Sequence, residues 1–188
     1  MIAKLCYEGS SKGIREDSVA HNREQLKRGI EFLLRNYRQP VLVEKFIQGR
    51  EVDVPIIGNS PTEAFGVVGL TLDGNDDLKD RFLTSKIIKD DRYGFKFPLL
   101  DSFVSGVEQD ALKLYNLLEC RDFGRVDERI DYEGNPYFLE INPYPFLGRH
   151  SSFSEIATKT ELGYKNMIAR ILESALGRQQ LRKKTQLS

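Results

Sequence analysis

The stretch Phe123–Pro143, FGRVDERIDYEGNPYFLEINP, holds two runs of strand-forming residues around a turn. Phe123 to Ile130 and Tyr137 to Ile141 read as strands, and Tyr132-Glu-Gly-Asn between them has hairpin-turn chemistry. Side chains two apart in a strand share a face. Asp127 on the first strand therefore converges with Glu140 and Asn142 on the second, and Arg125 shares the Asp127 side. Two carboxylates and an amide oxygen are hard ligands that suit Mg²⁺ completed by phosphate oxygens. Neighbouring carboxylates repel unless a cation lies between them. Arg125 can hold a carboxylate or a migrating phosphoryl group. The alternative is an exposed hairpin with solvated charges. Val126, Phe138, Leu139 and Ile141 argue against it, since they predict a buried opposite face.

Outward from this hairpin the chain alternates strands and helices. Ile2 to Leu5 reads as a strand, with Ser18 as the cap of a helix to about Tyr37 whose face is Leu26, Ile30, Leu33 and Leu34. Pro40 ends it, and Val41 to Phe46 is a second strand. Glu51 to Ile57 alternates polar and apolar, which predicts a half-buried strand, and Phe65 to Leu72 is another. Asp73 to Pro98 is polar and aperiodic, so a long loop region is expected. Val107, Ala111, Leu114 and Leu118 mark a helix from Val104 to Cys120; a last one runs from Lys165 to Leu176 with Gly177 as its cap. The expected fold is α+β: a mainly antiparallel sheet with helices packed on one side, over residues 1–177, followed by a basic, flexible tail at 178–188. The chain opens in a strand with a glycine-serine loop directly behind it, and on this basis further sequence upstream is expected.

Composition bounds the function. The 188 residues are 40% hydrophobic, enough for a sizeable core. Lys plus Arg is 28 and Asp plus Glu is 28, a zero net charge that argues against a nucleic-acid partner held by bulk charge. No apolar run approaches the roughly 18–20 residues of a membrane span, and the start lacks the layout of a signal peptide. Cys6 and Cys120 have no metal or CxxC spacing, and with only His21 and His150 a zinc site is not expected. Two free thiols in a cytoplasmic protein are the reading.

Three further clusters carry potential chemistry. Lys4 precedes Glu8-Gly9-Ser10-Ser11-Lys12-Gly13, where small residues let backbone N–H groups ring phosphate oxygens and Lys4 adds a charge; an ordinary turn remains the alternative. Glu44-Lys45-Phe46-Ile47 and then Glu51 suit a nucleoside, with backbone groups for the adenine edge and Glu51 for the ribose hydroxyls, or else form a strand of solvated charges. Lys86 lies in the polar run with Lys89 and Arg92, which alone reads as a solvated charge run.

In this order the clusters resemble the ATP-grasp superfamily, and most of all the C-terminal part of its D-alanine–D-alanine ligase branch. The resemblance covers Lys4 to about Leu176. It implies that Lys4 and Lys86 bind ATP phosphates, that the Glu8, Gly9, Ser11 loop closes over the γ-phosphate, and that Ser10 sits near the amino-acid substrate. It further implies adenine at Glu44, Lys45, Phe46 and Ile47, ribose at Glu51, two Mg²⁺ (or Mn²⁺) at Asp127, Glu140 and Asn142, and the acyl phosphate at Arg125. His150 and Ser151 fall where second-substrate residues are placed. The implied activity is cell-wall-type, ATP- and Mg²⁺-dependent carboxylate–amine ligation through an acyl phosphate. The implied ligands are ATP and small amino-acid-like substrates, and the implied partner is an N-terminal lobe or a second copy. Leu5 replaces a proline, Ile87 an aromatic residue, and Phe146 a glycine after Pro145, which bears on substrate choice. The alternatives are a ligase for another amino acid, and a degenerate domain that binds nucleotide or a partner without turnover. The chain by itself is expected to be inactive, because ligases of this branch carry an N-terminal domain and a nucleotide-binding lobe before the Lys4 strand.

Overall fold

The computed structural model describes residues 1–185, with side chains to residue 179. In chain order the elements are β1 (Ile2–Leu5), α1 (Arg23–Tyr37), β2 (Val41–Glu44), β3 (Arg50–Gly58), β4 (Thr62–Ala64), β5 (Val68–Leu72), α2 (Ser85–Lys89), β6 (Tyr93–Lys96), α3 (Val104–Leu117), β7 (Phe123–Ile130), β8 (Pro136–Asn142), α4 (Ser152–Lys159) and α5 (Gly163–Thr185). They form two compact units: Met1–Gly49 with Thr71–Gly94, and Arg50–Leu70 with the chain from Phe95 onward. Among the described residues no helix is long and apolar enough to cross a membrane.

In the first unit β1 and β2 pair antiparallel, Ala3 opposite Val43. Ala3 and Leu5 point into a core closed by Leu33 of α1, with Leu26, Ile30, Tyr37, Val41 and Val43 around it. Asn22, not Ser18, caps α1, accepting from the Gln25 N–H at 2.9 Å, while the Ser18 hydroxyl accepts from the Arg15 N–H in the preceding turn. Leu34 falls outside the apolar stripe and is exposed. The polar run expected to be a loop contains α2, capped by Thr84, and β6.

The second unit is built on the antiparallel sheet order β6-β5-β3-β7-β8, with β4 also paired to β3. Val52, Val54 and Ile56 of β3 and Val126 and Ile130 of β7 pack on Val107, Ala111 and Tyr115 of α3. The other face packs Ile57 and Phe123 against Phe153 and Ala157 of α4 and Met167 and Ile171 of α5. Helices thus cover both faces, not one, and for that reason β3 is buried from Val52 to Ile57 and not merely on alternate residues. Gly124 fits because a Cβ there would meet the Tyr115 ring at 2.8 Å. Leu118 and Phe138 are exposed, against expectation. The last helix begins at Gly163 and continues through Gly177 to Thr185. The rest of the expected tail, residues 186–188, lies outside the described residues.

Glu128 faces the α3 side of the sheet, 1% exposed, and its Oε2 has no hydrogen-bond partner among the described residues. Burial, with some repulsion from Asp110, raises its carboxyl to about 7. A raised folded value means that the protonated form is the stable buried one. Stability from this group is therefore present below about pH 4.5 and is lost as pH rises through about 7, by about 3 kcal/mol. Glu128→Gln should remove that slope. Urea melts at pH 5 and pH 8 should give a mutant-minus-wild-type difference that grows toward pH 8, and parallel pH dependences would contradict it.

Candidate functional site

The antiparallel register places three acidic residues in one cross-strand row: Asp53 on β3 is opposite Asp127 on β7, which is opposite Glu140 on β8. The neighbouring row is Pro55, Arg125 and Asn142. Like charges directly opposite destabilise a sheet, so the row needs a counter-charge. Arg125 supplies it: its Nε and Nη2 donate to the two Asp127 oxygens at 2.6 and 2.7 Å, and Nε lies 3.3 Å from Asp53 Oδ2. The Asn142 amide donates to Asp127 at 3.2 Å and to Glu140 at 3.0 Å, so it sits between both carboxylates. The sequence expectation of one shared face is met for all four residues. A β-bulge shifts the register between Asp127 and Glu128, next to the cluster, and pairing resumes with Glu128 opposite Phe138.

Electrostatics follow from burial. Desolvation pushes Asp127 well above the usual carboxylate range, Asp53 and Glu140 add to this, and Arg125 opposes it. Asp53 is raised for the same first reason, opposed by Arg125 and the Ser152 hydroxyl of α4. Glu51, one same-face position before Asp53, is raised to about 7 by burial despite an ion pair with Arg129 at 3.3 Å. Burial and the three carboxylates act oppositely on Arg125, and the carboxylates win, so it stays charged. Asp127, Glu140 and Asn142 are hard oxygen donors of the kind a divalent cation takes, two carboxylates opposite each other with an amide oxygen beside them. Among the described residues no group of three His, Cys, Asp or Glu side chains is arranged for a metal.

The first unit holds the phosphate and adenine candidates. Lys4 pairs with Glu44 at 2.6 Å across β1 and β2. Glu8 accepts from Lys12 at 2.9 Å and from Gln39 at 3.2 Å, and the Lys12 hydrogen bond above all holds its carboxyl below the ordinary value. Ser10 and Ser11 both adopt left-handed backbone, φ 54° and 55°, a conformation L-residues adopt at some energetic cost. The Ser85 hydroxyl donates to the Ser11 carbonyl at 3.0 Å, and Lys86 lies 3.5 Å from Glu16. Gly9 is exposed, Lys45 is exposed, Ile47 is half-buried, and Phe46 packs edge-on to Phe82. Ile87, the departure after Lys86, is a buried residue of α2.

His150 is exposed, and Ser151 caps α4 in a reciprocal pair with Ser154. Asp53, Ser152 and Arg129 are site residues that sequence reasoning missed. Asp53 had a signal in its spacing of two from Glu51; Ser152 and Arg129 depend on contacts between distant segments.

Residues 1–173 match the family described as D-ala D-ala ligase C-terminus. The chain belongs to the D-ala D-ala ligase C-terminus family. It is 31% identical over 178 residues to the D-alanine–D-alanine ligase of Herminiimonas arsenicoxydans, covering 93% of this chain and 51% of that one. A solved D-alanine–D-alanine ligase from Bacillus anthracis superposes with TM-score 0.75 at 21% identity, covering 98% of this chain and 56% of that one. The complex of that Bacillus anthracis enzyme with ATP gives 0.67 at 20%, over 88% and 51%. These likenesses support the ATP-grasp C-terminal fold. The chain spans about half the length of the curated relatives it matches.

Removing the counter-charge tests this electrostatic account. Arg125→Gln leaves a buried row of carboxylates without its guanidinium, and should cost about 3 kcal/mol at pH 8. Because protonation relieves the row, the loss should shrink at pH 5.5. Denaturant midpoints at the two pH values decide it, and an equal loss at both would contradict the account.

Proposed function

We propose that this chain carries the phosphate- and metal-handling part of an ATP- and Mg²⁺-dependent carboxylate–amine ligase of the D-alanine–D-alanine type, acting in the cytoplasm with the N-terminal region that its longer relatives possess. The observation that carries this reading is the row of Asp127 and Glu140 with Asn142 between them and Arg125 alongside. In the reaction proposed, a substrate carboxylate takes the γ-phosphoryl group of ATP, releasing ADP. An amine then attacks the acyl phosphate and inorganic phosphate leaves. Phosphoryl transfer needs alignment and charge neutralisation more than covalent help. Bound Mg²⁺ would supply that neutralisation, held by Asp127, Glu140 and Asn142. Arg125, kept charged by the carboxylates around it, steadies the transferred group. Lys4 and Lys86 contribute charge toward the nucleotide phosphates, Glu51 accepts from ribose hydroxyls, and Glu44 to Ile47 offer the adenine edge its partners.

A second reading, binding without turnover, draws on Phe146. Its ring lies so close over Gly148 that a Cβ there would stand 2.1 Å from it, so this segment is bulky.

The chain alone should release no phosphate above background with D-alanine and MgATP, and calorimetry should find an ATP dissociation constant at or above about the millimolar level. Robust D-alanine-dependent release by the isolated chain would overturn this division of labour. In a form carrying the N-terminal region, Glu140→Gln keeps shape and removes one charge of the row. It should abolish turnover while leaving the melting temperature nearly unchanged. Near-normal turnover by E140Q would exclude the metal assignment. Absence of turnover in the wild-type long form would favour the second reading.

A further inference from the structure

Asp53 has no part in the assignment above, yet its place is specific. It is 6% exposed, sits opposite Asp127 in the β3–β7 register, and its Oδ2 lies 3.3 Å from the same Arg125 Nε that Asp127 Oδ1 holds at 2.6 Å. The Ser152 hydroxyl, itself fully buried and without a well-formed hydrogen bond, is near enough to favour the Asp53 carboxylate. Pro55, next on the same face of β3, has no side-chain acceptor, and Glu51 is taken by Arg129.

Both oxygens of Asp127 are occupied by Arg125. A divalent cation at Asp127, Glu140 and Asn142 needs the same oxygens, and two positive charges cannot share them closely. The guanidinium must loosen, and a buried guanidinium without a partner is heavily penalised. We propose that Asp53 is a positioning residue for the metal hairpin: it retains Arg125 when Asp127 turns to the cation, so that metal binding strands no buried charge and Arg125 keeps its aim. This deepens the Mg²⁺ reading of the hairpin and rests on it.

The test uses the chain itself with Mn²⁺ as probe, free ion followed by electron paramagnetic resonance, in wild type, Asp53→Asn, Arg125→Gln and the double variant. D53N should weaken Mn²⁺ binding about tenfold, as loss of an outer positioning partner does. In the R125Q background the same change should have almost no effect, because Asp53 acts through Arg125. Equal weakening in both backgrounds would mean that Asp53 acts on the cation directly and would overturn the proposal, as would no weakening in either. Should a variant not fold, the wild type decides by NMR: the Arg125 Nε–H signal should stay protected from exchange as Mg²⁺ is added, and its loss would overturn the proposal. If the wild type binds no Mn²⁺ at millimolar concentration, the metal reading itself fails, an outcome separate from a bound ion indifferent to Asp53.

Discussion

A single guanidinium facing a row of three carboxylates is the constraint on which the functional sheet depends. Asp53, Asp127 and Glu140 are brought side by side by strand register, not by side-chain choice, so their repulsion is built into the pairing. Arg125 makes that pairing tolerable. The opposite face sets how rigidly the row is held. Tyr115 presses on the backbone at Gly124, and Val126 lies in the same apolar layer, so β7 has little freedom to shift. The site is accordingly pre-shaped by packing on one side and strained by charge on the other.

The hairpin was legible because both of its signals are local. Alternation fixes which side chains share a face, and a glycine-containing turn fixes where the chain reverses. The same logic misread β3: Glu51-Val52-Asp53-Val54 alternates like a half-exposed strand, but α4 and α5 cover the polar side. Burying acidic residues breaks the usual pattern, and such breaks collect at functional positions. Helix α4 went unseen since its start, Ser151-Ser152-Phe153-Ser154, looks like a polar loop until the reciprocal serine cap is known. Arg129 escaped notice because its partner, Glu51, is 78 positions away and only the β3–β7 pairing joins them.

In the first unit the charges lie against one another. Lys4 is held by Glu44 and Lys12 by Glu8, so both ammonium groups are neutralised locally. An arriving phosphate would have to compete with carboxylates for these ammonium groups, which favours multiply charged ligands over singly charged ones. The consecutive left-handed serines raise the conformational energy of this loop, and the turn around them is closed by the Lys12 N–H donating to the Gly9 carbonyl at 3.1 Å.

Phe146 and Gly148 also constrain how this chain can change. The ring occupies the space that any side chain at position 148 would need, so every replacement of Gly148 meets Phe146 first. Reducing Phe146 to a small residue meets no such obstacle, since the ring is largely exposed. Being largely exposed, the ring is the movable end of a flexible side chain, so a side chain at position 148 is accommodated by turning Phe146 outward and not by moving the backbone. The two positions are therefore coupled: growth at 148 costs the ring its place over the loop, and with a small residue at 146 the same growth displaces nothing there.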